Sequence, residues 1–128
     1  MVIQVGIIGY RNHAKRIISL LNIKEDIKIK YIFHPLKNSE NSINTNNISD
    51  LFECDAIFII SPNHTHFEYI KKFIYNFDGY IFCEKIPVIS NEELEWLKKI
   101  PEEKKLKLFF NFNYRFRGVS ELIKKYLN

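Results

Sequence analysis

A short apolar run that ends in a glycine turn and passes at once into an amphipathic stripe constrains this chain more than any other feature. Val2 to Ile8 is almost unbroken in apolar content and closes on Gly9, as expected of a strand buried on both faces of a parallel sheet. Ala14, Ile17, Ile18 and Leu21 then fall at i, i+3, i+4 and i+7, with Lys15 and Arg16 off that face, which predicts a helix with one buried side. The same unit recurs down the chain. Ile27 to Phe33 reads as a second strand ending at His34 and Pro35. Lys37 to Ser49, rich in Asn and Ser, reads as a loop with at most a very short strand near Ile43. Asp55 to Ile60 is a third buried strand, closed by Ser61-Pro62-Asn63 and followed by the helical face Phe67, Ile70, Phe73, Ile74 and Phe77.

Gly79 to Cys83 predicts another strand, and Ser90 with Glu93 forms a capping box ahead of a helix carrying Leu94, Leu97 and Ile100. Leu106 to Phe112 predicts the last strand. Beyond Asn113, Tyr114 and Arg115, the stripe Val119, Leu122, Ile123, Tyr126 and Leu127 predicts a final helix. Strands alternating with amphipathic helices require right-handed crossovers with helices on both sheet faces. The expected fold is therefore α/β, a doubly wound, mostly parallel, Rossmann-like sheet in a single domain. Its core spans residues 1–116 and its C-terminal helix residues 117–128.

Composition excludes several classes of function. Of the 128 residues 46% are hydrophobic and 27% charged, which suits an ordinary globular protein. No apolar run approaches the ~20 residues that span a bilayer, and no basic lead precedes the first strand, so a cytoplasmic protein away from membranes is expected. The net charge of +4 comes with lysines scattered rather than striped, which argues against nucleic acid. Cys54 and Cys83 have no zinc-type spacing and read as reduced, buried thiols. His64 and His66, two residues apart, diverge on a helix, so no metal site is expected.

In a doubly wound sheet, ligands bind outside the carboxyl ends of the strands, and four such ends carry candidate residues. The first is the turn Gly9-Tyr10-Arg11-Asn12, where the three glycine slots of a dinucleotide fingerprint hold Gly9, Arg11 and Ala14. Two slots fit. Arg11 either takes the room of a backbone-cradled pyrophosphate or pairs with a phosphate by its side chain, and a plain strand-to-helix turn is the alternative. The second end carries His34 and, beyond it, Lys37, with no acidic residue for a ribose. A 2′-phosphate suits these side chains, which favours NADP over NAD.

The third and fourth ends carry a family resemblance. Cys54 to His66, with its buried strand and the turn Ser61-Pro62-Asn63-His64-Thr65-His66, resembles the corresponding segment of the Gfo/Idh/MocA family, the relatives of glucose-fructose oxidoreductase and inositol dehydrogenase. Phe82-Cys83-Glu84-Lys85-Ile86-Pro87 resembles that family's Glu-Lys-Pro signature, although Ile86 stands where the signature has proline. Phe110 to Phe116 is similar to its last Rossmann strand and the arginine-aromatic turn that follows.

The resemblance implies NAD or NADP as cofactor and a sugar or sugar-nucleotide hydroxyl as substrate. Ser61, Pro62, Asn63 and His66 would lie along the nicotinamide half, Glu84 and Lys85 would stand at the cofactor–substrate junction with Lys85 as the catalytic lysine, and Asn113 and Arg115 would complete the cofactor set. It also implies a second, substrate-binding domain with an Asp-x-x-x-His helix. No segment here matches that domain, so a catalytically incomplete chain is expected, either a free-standing module or a fragment. A second reading is a non-catalytic Rossmann module for protein interaction or nucleotide sensing. The aromatic cluster Phe109, Phe110, Phe112, Tyr114 and Phe116, with the last strand as an edge, would make it a homo-oligomer.

Overall fold

The structure, a computed structural model, describes residues 1–36 and 43–112 together with residue 125. The elements in order are β1 (Ile3–Ile8), α1 (Asn12–Asn22), β2 (Ile27–Phe33), β3 (Asn44–Thr45), a 3-10 helix (Ile48–Glu53), β4 (Ala56–Ile59), a 3-10 turn (Asn63–Thr65), α2 (His66–Ile74), β5 (Tyr80–Glu84), α3 (Asn91–Lys98), α4 (Glu102–Lys105) and β6 (Leu108–Asn111). They form a six-stranded sheet in the order β3-β2-β1-β4-β5-β6, every neighbouring pair parallel. This is the doubly wound α/β fold expected from the sequence. Lys37, Asn113, Tyr114, Arg115, Phe116 and nearly all of the expected helix over 117–128 lie outside the described residues.

Alternation along the strands divides the core in two. Val5 and Ile7 of β1 face α1, packing with Ala14, Ile29, Ala56 and Ile60. Ile8 joins the opposite cluster, where Ile57, Ile59, Ile70, Phe73, Phe77, Ile81 and Ile100 pack with Trp96 and Leu97 of α3. Phe73 is fully buried, and its ring meets Phe52 at 4.7 Å and Phe77 at 5.8 Å between centroids. Truncation of a large buried aromatic loses both its transfer free energy and the contacts around the cavity it leaves. Phe73→Ala is therefore expected to destabilise the fold by about 3–5 kcal/mol in urea unfolding, and a loss below about 1 kcal/mol would count against this assignment of the core.

Several elements differ from the sequence expectation. Leu106 ends α4 instead of opening β6, and its side chain is exposed. Pro101 precedes α4, with Glu102 and Glu103 in its first turn and Lys104 and Lys105 in its last, a charge order that suits the helix dipole without any apolar stripe. The expected loop ends in the 3-10 helix Ile48–Glu53, whose Asn47 cap accepts a hydrogen bond from the Ser49 amide at 3.2 Å and which buries Leu51 completely. The Ser90 hydroxyl accepts from the Glu93 amide at 3.2 Å, but the Glu93 carboxylate accepts from the Ile89 amide at 2.7 Å rather than from Ser90.

The expected aromatic cluster is also split. Phe109 stacks on Phe82, and Phe82 on Phe58, at 5.1 and 4.8 Å, a row set by the parallel register of β4, β5 and β6. Phe110, one residue on, packs against the opposite core, because successive strand side chains point to opposite faces. The described part of the cluster is therefore not one patch.

Candidate functional site

Strand order reverses between β1 and β4, and the helices that follow these two strands pack on opposite faces of the sheet, which leaves a crevice at their carboxyl ends. Gly9 makes the turn out of β1 with a φ of 119°, a conformation that L side chains rarely adopt. A Cβ on Gly9 would stand 2.7 Å from the Ile60 carbonyl oxygen and 2.9 Å from the Ser61 nitrogen, so both its backbone angle and its neighbours demand glycine. The Gly9 amide donates to the Phe33 carbonyl at 3.3 Å, and the Ile60 amide to the Ile8 carbonyl at 2.8 Å. These bonds hold the ends of β2, β1 and β4 together around the turn. Arg11, extended at −73° and −178°, caps α1 without a side-chain cap hydrogen bond, and the first turn of α1 carries no acidic residue.

Two hollows meet over this turn. The first, of about 370 Å³, lies at the ends of β1 and β2 and is lined by Gly9, Tyr10, Arg11, His34, Pro35, Ser61, Pro62 and Tyr69 among others. The His34 ring meets that of Tyr10 edge-on at 4.8 Å. Its Nδ1 accepts from the Leu36 amide at 3.1 Å, so the neutral ring carries its proton on Nε2 and offers a donor. Sequence position alone does not reveal this polarity.

The second hollow, of about 440 Å³, opens between α1 and the ends of β4 and β5 and is lined by Arg11, His13, Arg16, Ser61, Pro62, Asn63, His66, Glu84 and Lys85 among others. The Glu84 side chain is only 11% exposed. Its Oε1 accepts from Asn111 Nδ2 at 2.6 Å and lies 3.2 Å from His13 Nε2, which ties β5 to β6 and to α1. His66 is fully buried and starts α2. Its Nε2 reaches the Ser61 carbonyl at 2.7 Å and its Nδ1 the Ile86 carbonyl at 2.8 Å, so one ring braces the loops after β4 and β5. The Thr65 hydroxyl is bonded to the Pro62 carbonyl at 2.7 Å and the Ser61 hydroxyl at 2.6 Å, which fixes the turn that carries Asn63. The Lys85–Ile86 peptide is cis.

The candidate residues thus assemble at one edge of the sheet. Gly9, Tyr10, Arg11, His34, Ser61 and Pro62 line the first hollow, and Asn63, His66, Glu84 and Lys85 line the second, with Arg11, Ser61 and Pro62 shared. Asn12 opens α1 and lines neither. His13, Arg16, Tyr69 and Asn111 escaped the sequence reading. His13 and Arg16 stand three apart on the helix that follows the glycine turn, and that spacing was their signal.

Cys54 and Cys83 are free and buried, and burial pushes their thiols up to about 11 and about 12, so both stay protonated at neutral pH. Among the described residues no group of three His, Cys, Asp or Glu is placed to hold a metal, and no helix is long and apolar enough to cross a membrane.

Solved structures share this architecture. The scyllo-inositol dehydrogenase of Lactobacillus casei, solved with bound NAD(H) and scyllo-inositol, superposes with a TM-score of 0.80 at 20% identity over 99% of this chain and 41% of that one. The myo-inositol 2-dehydrogenase of Lactobacillus plantarum gives 0.77 at 20% identity over 99% and 41%, and an oxidoreductase from Bacillus cereus 0.77 at 24% over 97% and 40%. The chain thus spans about two fifths of the length of these proteins. No curated protein matches it at a significant level. The Gfo/Idh/MocA model, described as the oxidoreductase family's NAD-binding Rossmann fold, matches residues 3–112, and the chain belongs to that family as its NAD-binding Rossmann domain.

Proposed function

We propose that this chain holds a dinucleotide, NADP in preference to NAD, across the two hollows as the cofactor side of a hydride-transfer site for a sugar or sugar-alcohol hydroxyl. The observation that carries the reading is the meeting of the two hollows at Arg11, Ile60, Ser61 and Pro62, where strand order reverses. The residues fit such a group: Gly9 leaves a turn that a Cβ would obstruct, and the first hollow opens beside it. The adenosine half belongs with Tyr10, His34 and Pro62, and the nicotinamide half with Asn63, Glu84 and Lys85.

When bound, the nicotinamide supplies the hydride acceptor or donor. Lys85 would hold the substrate hydroxyl oxygen and manage its proton, since an ammonium offers three donors and its acidity responds to its surroundings. His66 would position Lys85 through the Ile86 carbonyl. The scyllo-inositol and NAD(H) bound by the Lactobacillus casei enzyme support a polyol substrate.

The preference for NADP rests on His34. Its Nε2 donor suits an acceptor such as a 2′-phosphate, where a carboxylate would accept from ribose hydroxyls. In a fluorescence titration, NADPH is expected to bind saturably and more tightly than NADH, and His34→Asp is expected to weaken NADPH by roughly tenfold or more. No saturable signal with either nucleotide would sink cofactor binding. Equal affinity of both for the native chain would sink the preference alone.

Arg11 in a fingerprint glycine slot and Ile86 after Lys85 favour a second reading, a nucleotide-binding module without turnover. In either case a cytoplasmic setting suits the two buried reduced thiols. The Phe58–Phe82–Phe109 row, with Phe109 44% exposed, favours self-association along β6. Sedimentation at micromolar concentration should then show a dimer or larger species, and a clean monomer would refute it.

A further inference from the structure

We propose that the second hollow is an anion site in which a phosphate is held by side chains, chiefly the guanidinium groups of Arg11 and Arg16, in place of a glycine backbone cradle. The proposal rests on the nucleotide-binding reading and names the ligand chemistry of one part of that site.

Arg11 and Arg16 enter the hollow from the α1 side, and Lys85 enters from the end of β5. Neither arginine side chain has a hydrogen bond or ion pair to another described residue. Glu84 is the one carboxylate among the described lining residues, and its carboxylate is turned onto Asn111 and His13. Two guanidinium groups with no side-chain partner among the described residues thus line a cavity whose walls include Ile60 and Pro62. Like charges brought together near low-dielectric walls repel one another, and an arriving anion relieves that repulsion while gaining from the same field.

Guanidinium groups are suited to the task, because their planar forks pair with phosphate oxygens in bidentate fashion. A neutral polyol would leave the excess positive charge uncompensated. Arg11 stands where the two hollows join, so the phosphate belongs at or beside that ridge. It is either one of the bridging phosphates of the dinucleotide or the phosphate of a separate ligand.

Calorimetric titration of inorganic pyrophosphate, ADP, adenosine and NADPH into the full chain and into Arg11→Gly and Arg11→Gly/Arg16→Gln variants tests this. Both arginines are exposed, and glycine is accepted at a helix cap, so the variants should fold. Pyrophosphate and ADP are expected to bind the native chain and to lose roughly tenfold or more in affinity in the double variant, while adenosine is unaffected. If NADPH competes with pyrophosphate and shows the same loss, the phosphate is the cofactor's. If NADPH fails to bind while pyrophosphate keeps its dependence on the arginines, the dinucleotide reading falls and the anion site stands with a separate ligand. The proposal is overturned if pyrophosphate does not bind, or if Arg11→Gly binds pyrophosphate or ADP as well as or better than the native chain. It is equally overturned if adenosine suffers the same loss.

Discussion

Replacing Gly9 by alanine is expected to abolish dinucleotide binding and to lower the stability of the fold by about 2–6 kcal/mol. Two independent costs add here. The backbone at Gly9, with φ at 119°, is strained for any L side chain by about 1–3 kcal/mol. The new methyl group would stand within 2.7 to 2.9 Å of backbone atoms of Ile60 and Ser61, and backbone cannot turn aside as a flexible side-chain tip does. The overlap is relieved only by moving the end of β4 away from the end of β1, at a further cost of about 1–3 kcal/mol. That movement displaces Ser61 and Pro62, which both hollows share. Urea unfolding and an NADPH titration check the two halves of the expectation. A variant within about 1 kcal/mol of the native chain that still binds NADPH would show that the turn is not the hub described above.

Replacing His66 by leucine is expected to cost about 1–3 kcal/mol, because the buried ring contacts two loop carbonyls and the N–H that a neutral imidazole donates to one of them is lost. The imidazole ring is fully buried and bridges Ser61 and Ile86, and leucine fills much of the space but offers no donor. The functional consequence should be uneven. The second hollow loses the common brace of the loops carrying Asn63 and Lys85, whereas the Tyr10–His34 wall of the first hollow has no contact with His66 among those described. NADPH affinity should fall by roughly tenfold or more, and adenosine affinity much less. Equal losses for both ligands would place His66 in general folding rather than in the alignment of these loops. Thermal unfolding run beside the titrations keeps the effects separate.

The fold was legible because its strands are short apolar runs and its main helices carry stripes. Phe67, Ile70, Phe73 and Ile74 announce α2, and all four are buried. Elements without such patterning escaped. The four residues of α4 include no apolar side chain, and Ile48, Leu51 and Phe52 follow a long Asn- and Ser-rich stretch and amount to a single turn, too short a stripe to announce a helix. In the site, the rule that ligands meet strand ends singled out Gly9, His34, Ser61 and Glu84. What it does not supply is register. Glu84 meets Asn111 because β5 and β6 pair Glu84 with Asn111, and Phe109 parts from Phe110 because β6 shows alternate residues to opposite faces. The direction of the His34 donor depends on a bond to the Leu36 amide, which no spacing rule contains.

The link from His13 through Glu84 to Asn111 also constrains how this domain can drift. It joins the first turn of α1, the end of β5 and the end of β6 through a single carboxylate, so a change at Glu84 takes away the acceptor that Asn111 and His13 share, and a change at Asn111 leaves a nearly buried carboxylate with only the half-exposed His13. Such positions do not wander one at a time. A combinatorial library randomised at Glu84 and Asn111 and selected for folding should return matched pairs, either both polar and complementary or both apolar, with few mixtures between them, while the half-exposed His13 position varies more freely.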